Sequence, residues 1–375
     1  MEGKSPPRFE GAMSSQTIER KDHHLDLCAG SPVEVVRPGA LFDEVSLIHE
    51  ALPEMSAADV DLSCEFLGRR LRCPLMFTAI TGGTARGKAL NLALARQAQK
   101  RGMAIGVGSQ RAMAERVEVE DTFQLREVAP DALIVGNIGL WQARSLGVDG
   151  VRRLADRIGA DAMAVHLNVA QEMVQPEGDR DFGGGLKVIG ALAAAFGDGL
   201  LVKETGCGIS PATARRLVEV GVRAIDVAGL GGTSWIKVEH LRAGASTTGA
   251  LFAEWGIPTA PAIAALARTI GGQARLVASG GIRDGLMAAK ALALGADVVG
   301  LALPLLKAWV AGGEANGGEE ALDRALDAFV AGLVSAMVLT GSRTVRSLGE
   351  VPWVGGPTFE RWVERLCLGA APRPG

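Results

Sequence analysis

An α/β fold, a single (β/α)8 TIM barrel with an N-terminal extension and a C-terminal helical cap, is what this 375-residue chain predicts, and three observations carry it. Short apolar runs of β type recur, each ending in Gly, Asn, His or Lys, and they alternate with Ala-, Leu- and Arg-rich stretches at helical spacing. Eight such pairs fit within about 230 residues, the length of one barrel. The runs are continuously apolar, as in strands covered on both faces, which favours a closed barrel over an open doubly wound sheet.

The elements follow in order. Residues 1–16 are polar, contain proline and lack the apolar core of a signal peptide, so they read as a disordered leader. Residues 17–70 form an N-terminal extension beginning with the polar cluster Arg20-Lys21-Asp22-His23-His24, which by itself reads as a solvated face and to which the family resemblance given below assigns a part in the active site. The barrel spans 71–310, with strands predicted at 75–78, 104–107, 132–135, 162–165, 200–203, 224–227, 275–278 and 298–301. Helices are predicted at 85–101, 147–158, 211–220, 260–269 and 284–294, the third with Pro211 in its first turn, where no N–H is needed. Residues 311–375 are the helical segment and tail that cap the barrel, with 312–318 as a loop and 322–339 as a helix. The apolar run from Ala328 to Leu339, broken by Ser335, falls short of the roughly 20 residues a membrane span requires, so it reads as a buried helix.

Composition narrows the partners. Lys plus Arg (39) nearly balance Asp plus Glu (42), so no global field points to nucleic acid or an acidic membrane, and any anionic ligand must be held locally. The five cysteines are scattered without a C-x-x-C pair, which suggests neither a disulfide framework nor zinc and fits a reducing cytoplasm. Fifty glycines suit tight strand-to-helix turns and close approach of backbone to a ligand, and there is no tyrosine.

Barrel enzymes place their chemistry at the C-terminal strand ends. Here these ends carry Thr78-Ala79-Ile80-Thr81-Gly82-Gly83, Gly108-Ser109-Gln110-Arg111, Gly136-Asn137, the loop His166 to Phe182, Lys203-Glu204, Gly231-Gly232-Thr233-Ser234-Trp235, Ser279-Gly280-Gly281-Ile282-Arg283 and Gly300-Leu301-Ala302-Leu303. The last two put bare N–H groups and helix starts where barrels hold a phosphate. Lys203 suits the electron-rich edge of a flavin, a Schiff base or a structural pair with Glu204. Glu172 and Glu177 suit either a general acid/base pair or Mg2+ held by one carboxylate and substrate phosphates.

Together these residues resemble the type 2 isopentenyl-diphosphate Δ-isomerases, FMN-dependent barrels, from about Arg20 to Leu306. The linked motifs are Arg20-Lys21 with His24, His49-x-Ala51-Leu52-Pro53-Glu54, Thr81-Gly82-Gly83, Gly108 to Arg111, His166 to Phe182, Val202-Lys203-Glu204, Gly231 to Trp235 and Ser279 to Arg283. The resemblance implies a small-molecule substrate, isopentenyl or dimethylallyl diphosphate, isomerised by acid/base chemistry on reduced FMN, with NADPH as reductant, Mg2+, and a homo-oligomer, a tetramer or octamer. It implies that Gln171, His166, Trp235 and Lys203 are catalytic and that Arg20, Lys21, His24, Ser109, Gln110, Arg111, Asn168 and Gln171 bind substrate. FMN contacts fall on Thr78, Ala79, Ile80, Thr81, Ser109, Asn137, Lys203, Thr233, Gly280, Gly281, Arg283, Ala302 and Leu303, and the metal on Glu172. Two departures stand out: Ile80 where the family usually has Met, and His23 where an acid often precedes His24, which puts two imidazoles near the diphosphate end. The rivals are a 2-hydroxy-acid oxidase-like or inosine-monophosphate-dehydrogenase-like flavin barrel, and a flavin- or prenyl-phosphate-binding protein without turnover. The oxidases rely on tyrosine, which is absent, and the nucleotide enzymes on a cysteine that residues 229–235 do not supply.

Overall fold

A computed structural model describes residues 12–244 and 246–369. Eight parallel strands close in chain order: β1 Leu75–Phe77, β2 Ala104–Gly106, β3 Leu133–Gly139, β4 Ala162–Leu167, β5 Leu200–Glu204, β6 Ala224–Asp226, β7 Arg275–Ser279 and β8 Val298–Leu301, whose Val299 pairs with Leu75 of β1. All eight coincide with the predicted runs. β3 and β4 run on past the predicted ends because the ladder continues: Gly139 pairs with His166, His166 with Lys203, and Lys203 with Asp226. His166 is thereby a strand residue rather than the start of a loop.

Two apolar layers hold the barrel. Inside it, Met76, Ala104, Leu133, Ala162, Leu201, Ala224, Val277 and Val298 interdigitate, and Phe66, Leu67 and Leu71 of the hairpin Cys64–Phe66/Arg69–Leu71 join them. Outside it, the strands pack against a helical ring whose ends show ordinary capping: Thr84, Ser210 and Asp284 accept from the backbone of Gly87, Thr213 and Met287. With one end plugged by the hairpin, the other end is the open one.

The helices depart from expectation in places. The helix predicted from Gly147 begins at Leu140 and kinks at Gly147, whose φ of 64° a side chain would resist. The loop expected at 312–318 is already helical from Ala315, in a helix running to Leu339. That helix is not buried all round: Leu322, Leu326, Phe329, Leu333 and Met337 form one inward face, while Ala328, Ala331, Ser335 and Leu339 are exposed. The expected leader lies outside the described residues up to position 11, and its last five residues fall in helix α1, Ala12–Gly30. α1 lies against helix α2, Trp235–Arg242, and helix α3, Leu303–Ala311, across the open end of the barrel. The extension is also tied to the cap, since Val45–Leu47 pairs antiparallel with Trp353–Gly355. Among the described residues no helix is long and apolar enough to cross a membrane.

Candidate active site

One cavity opens at the C-terminal strand ends, and every strand contributes to its wall or to the loop beyond. Arg20, Lys21, His24, Leu25 and Cys28 close it from α1, a spacing that puts all five on one helical face. Thr78, Ala79, Ile80, Thr81, Ser109, Arg111, Asn137, His166, Asn168, Gln171, Glu172, Lys203, Thr233, Trp235, Gly280, Gly281, Arg283, Ala302 and Leu303 line the remainder. Of the predicted site residues, Gln110 and Glu177 do not line it.

Cations gather under α1. Lys21 Nζ donates to the Ser109 carbonyl at 3.0 Å and lies 5.2 Å from the Phe123 ring centre. Burial first, then Arg20 and Arg111, lower its pKa to about 7. Arg20 Nη1 reaches Glu177 at 3.3 Å, but its Nε is buried without a partner. Arg111 Nε holds Glu115 at 2.8 Å. His24 stacks edge-on with Trp235, ring centres 5.1 Å apart, and its Nε2 lies 3.1 Å from Glu239. A region this cationic, with an unsatisfied guanidinium N–H, suits a polyanion.

The strand ladder sets His166, Lys203 and Asp226 in one row. Burial, with Lys203 and Lys21 nearby, drives the His166 pKa down to about 3, so the ring is neutral. Its Nδ1 lies 3.0 Å from Asn137 Oδ1, which accepts, leaving Nε2 as an acceptor. Burial raises the Asp226 carboxyl, against Lys203 and a 2.6 Å bond from Ser279 Oγ. Glu204 turns back into a nest of N–H groups from Thr205, Gly206 and Cys207, yet burial still pushes it up to about 7. Lys203 donates to the Glu204 backbone carbonyl rather than to its carboxylate.

The loop after β4 is a polar lattice. Glu172 accepts from Asn168 Nδ2 at 2.7 Å and from the Asp179 N–H at 2.8 Å, and Arg180 clips the loop through the carbonyls of Glu172 and Gln175. Asn168 Oδ1 is buried and unpartnered beside Glu172. Gln171 Nε2 donates to Glu239 at 3.1 Å, which fixes the direction of its amide oxygen. Glu239 is fully buried; burial alone would raise its carboxyl, but His24, Arg242 and Gln171 together hold it at about 2. Glu177, the other carboxylate of the possible acid/base pair, does not line the cavity and pairs with Arg242. Among the described residues no cluster of three His, Cys, Asp or Glu could hold a metal unaided. A carboxylate with one free amide oxygen suits a hard cation that brings its own phosphate ligands.

At the opposite end, the N–H groups of Gly280, Gly281, Ala302 and Leu303 make no hydrogen bond to a described residue. Thr259 Oγ1 donates to the Gly280 carbonyl at 2.7 Å, so the turn presents its N–H side to the cavity. A Cβ at Gly280 would lie 2.1 Å from the Gly229 oxygen, and one at Gly281 2.7 Å from the Gly231 carbonyl carbon. Such a cup, at the ends of β7 and β8 and the start of α3, suits the phosphate of a cofactor.

Two expectations need correction. Gln110, expected to bind substrate, is wholly buried: its Nε2 donates to the Leu154 carbonyl at 2.8 Å, and its Oε1 accepts from the Asn137 N–H at 3.0 Å. It braces β3 instead. His23 is exposed and does not line the cavity, because it follows Lys21 by two positions and faces the other side of α1, so a second imidazole does not reach the cationic end. Three groups went unnoticed in the sequence. Asp226 follows an ordinary apolar run, Glu239 lies mid-helix, and Gln142 lines the cavity from a helix predicted to start five residues later. An acid ending an apolar strand was the one available signal.

The family model described as FMN-dependent dehydrogenase matches residues 18–181 and 186–352. Proteins named isopentenyl-diphosphate delta-isomerase are similar along most of the chain. The one from Methanothrix thermoacetophila is 45% identical over 90% of this chain and 93% of its own. That from Pyrococcus furiosus is 39% identical over 94% and 90%, and that from Stutzerimonas stutzeri 48% identical over 81% and 89%. Among solved structures, a mandelate oxidase with (S)-mandelic acid superposes with a TM-score of 0.64 over 92% of this chain and 98% of its own; at 20% identity this is a likeness of fold.

Proposed function

This chain belongs to the FMN-dependent dehydrogenase family and, within it, to the isopentenyl-diphosphate delta-isomerases, and from that membership we infer an FMN-dependent enzyme interconverting isopentenyl and dimethylallyl diphosphate. The observation that carries the reading is identity of 39–48% with relatives of that name across more than four-fifths of the chain. The cavity supports it physically, with one end cationic, the other a backbone cup, and an apolar wall of Ile80, Trp235, Leu25 and Leu306 between them.

The donors present suit FMN: the cup of N–H groups at Gly280, Gly281, Ala302 and Leu303, with Arg283, for its phosphate, and Thr78, Ala79, Ile80, Thr81, Ser109, Asn137 and Thr233 along its length. When bound and reduced, FMN supplies an electron-rich acid/base beside the isoprenyl chain, with no net redox change over the reaction. Lys203, backed by Asp226, favours an anionic neighbour at the end of β5. Arg20, Lys21, His24, Ser109 and Arg111 grip the diphosphate. Glu172 and the free Asn168 Oδ1 would hold Mg2+, which would supply charge to balance the diphosphate, and neutral His166 offers Nε2 as an acceptor. Gln171, steadied by Glu239, presents its amide oxygen near C2, where a proton is lost, and Trp235 walls the isoprenyl pocket and faces the positive charge developing at C3. NADPH as reductant, a tetrameric or octameric assembly and a cytoplasmic location complete the proposal; the five cysteines, all free, suit a reducing compartment.

The test is NMR of isopentenyl diphosphate incubated anaerobically in D2O with protein, FMN, Mg2+ and NADPH. Dimethylallyl diphosphate is expected only when the flavin is reduced. Absence of conversion by flavin-loaded protein would overturn the assignment and direct attention to hydroxy acids and nucleotides.

A further inference from the structure

Outside the residues assigned above, one carboxylate is placed where it bears on the cofactor cup. Glu34, in the extension, forms a bridge to Thr233: the Val35 N–H donates to the Gly232 carbonyl at 3.1 Å, and the Ser234 N–H to the Val33 carbonyl at 2.8 Å. Its side chain then divides between two cations. Oε1 pairs with Arg283, whose guanidinium also donates to the Gly231 carbonyl at 2.9 Å, and Oε2 accepts from Lys307 Nζ at 2.6 Å. Lys307 stands in the second turn of α3, the helix whose first N–H groups line the cup. The Ala40 carbonyl, further along the same strap, accepts from the Ala260 N–H, and Ala40 sits where Cβ atoms at Gly231 and Gly281 would fall.

We propose that Glu34 is a positioning residue for the cofactor phosphate: one carboxylate that ties the 231–234 loop, the 280–283 turn and helix α3 into a single rigid cup. The idea rests on the FMN reading above. What makes it more than a surface ion pair is sign. A carboxylate near a bound phosphate repels it, so electrostatics alone has Glu34 weakening FMN binding. Its placement between two cations favours binding if holding Arg283 and the α3 N-terminus in register gains more than the repulsion loses. Binding that requires several donors at fixed separation depends on such pre-organisation.

The experiment compares FMN with riboflavin, which lacks the phosphate, by quenching of flavin fluorescence on titration with full-length protein. Glu34→Gln is expected to weaken FMN binding by about tenfold or more, as for loss of a charge-assisted hydrogen bond, and to leave riboflavin affinity unchanged. Glu34→Asp keeps the charge but is one methylene too short to span Arg283 and Lys307, and it should show the same split; it decides the matter if Glu34→Gln does not fold. Tighter or unchanged FMN binding in a folded Glu34→Gln protein would overturn the proposal, and so would an equal loss for both flavins, which is general loosening. Failure of the unaltered protein to bind either flavin would instead sink the FMN reading itself.

Discussion

Diphosphate binding should draw a proton onto Lys21, and this can be measured. In the free enzyme, burial and the neighbouring Arg20 and Arg111 bring the Lys21 pKa to about 7. At pH 8 about one molecule in ten then carries the ammonium form, where an ordinary lysine would be fully charged. A bound diphosphate reverses the balance, because an opposite charge within reach favours the protonated form. Uptake should therefore approach about 0.9 proton per site at pH 8 and fall to about 0.5 at pH 7, and affinity should drop by up to about tenfold per pH unit above 7. Calorimetric titration with isopentenyl diphosphate in buffers of different ionisation enthalpy reads the uptake directly between pH 7 and 9. Lys21→Met should abolish the Lys21 share, exposing any background from Glu204, and weaken binding by about ten- to a hundredfold, as for a lost charge-assisted hydrogen bond. Negligible uptake at pH 8, or uptake unchanged in Lys21→Met, would refute the reasoning. The same shift bears on stability. The folded pKa lies below the unfolded one, so between about 7 and 10.5 the unfolded chain binds more protons, and the Lys21 contribution becomes more favourable as pH rises through that window.

Other outcomes follow from the same geometry. Gln171→Ala should keep FMN binding, seen in the flavin absorbance of the purified protein, while isomerisation falls by about a hundredfold or more; unchanged turnover would remove Gln171 from the mechanism. Glu172→Gln should abolish stimulation by Mg2+ in the NMR assay, and a variant still stimulated would move the metal elsewhere. Gln110→Ala should behave as a structural change: it strips partners from the Leu154 carbonyl and the Asn137 N–H, at a cost of about 2–4 kcal/mol in urea unfolding. Its KM should be unaltered, and a raised KM with normal stability would restore Gln110 to the substrate site.

The barrel was legible because its evidence is local and repeated. Each β/α unit announces its strand by a run of apolar residues and its turn by Gly, Asn, His or Lys, and repetition makes an error in one unit harmless. Helices with an N-cap in the sequence, such as those after Thr84, Ser210 and Asp284, were legible for the same reason. The boundaries that moved did so where a neighbour supplied the bond or the cover. The β4 ladder carries His166 into the sheet, and the helix from Ala315 needs an apolar stripe rather than an apolar surface because it packs on one side only.

By itself the sequence determined the architecture, the open end at which ligands meet the chain, and most of the polar residues that line it, because those depend on pattern and on motifs at strand ends. Only the tertiary structure decided which polar residues face the cavity and which face one another. Gln110 braces strand β3 and His23 faces solvent, while Glu239, Asp226 and Glu34 matter through partners 68, 23 and 249 residues away, at Gln171, Lys203 and Arg283. The physical reason is that a side chain's direction and charge state are set by what packs beside it. Lys21 is lowered to about 7 and His166 to about 3 by burial and by cations that only the fold brings beside them, Arg111 next to Lys21 and, on the adjacent strand, Lys203 next to His166.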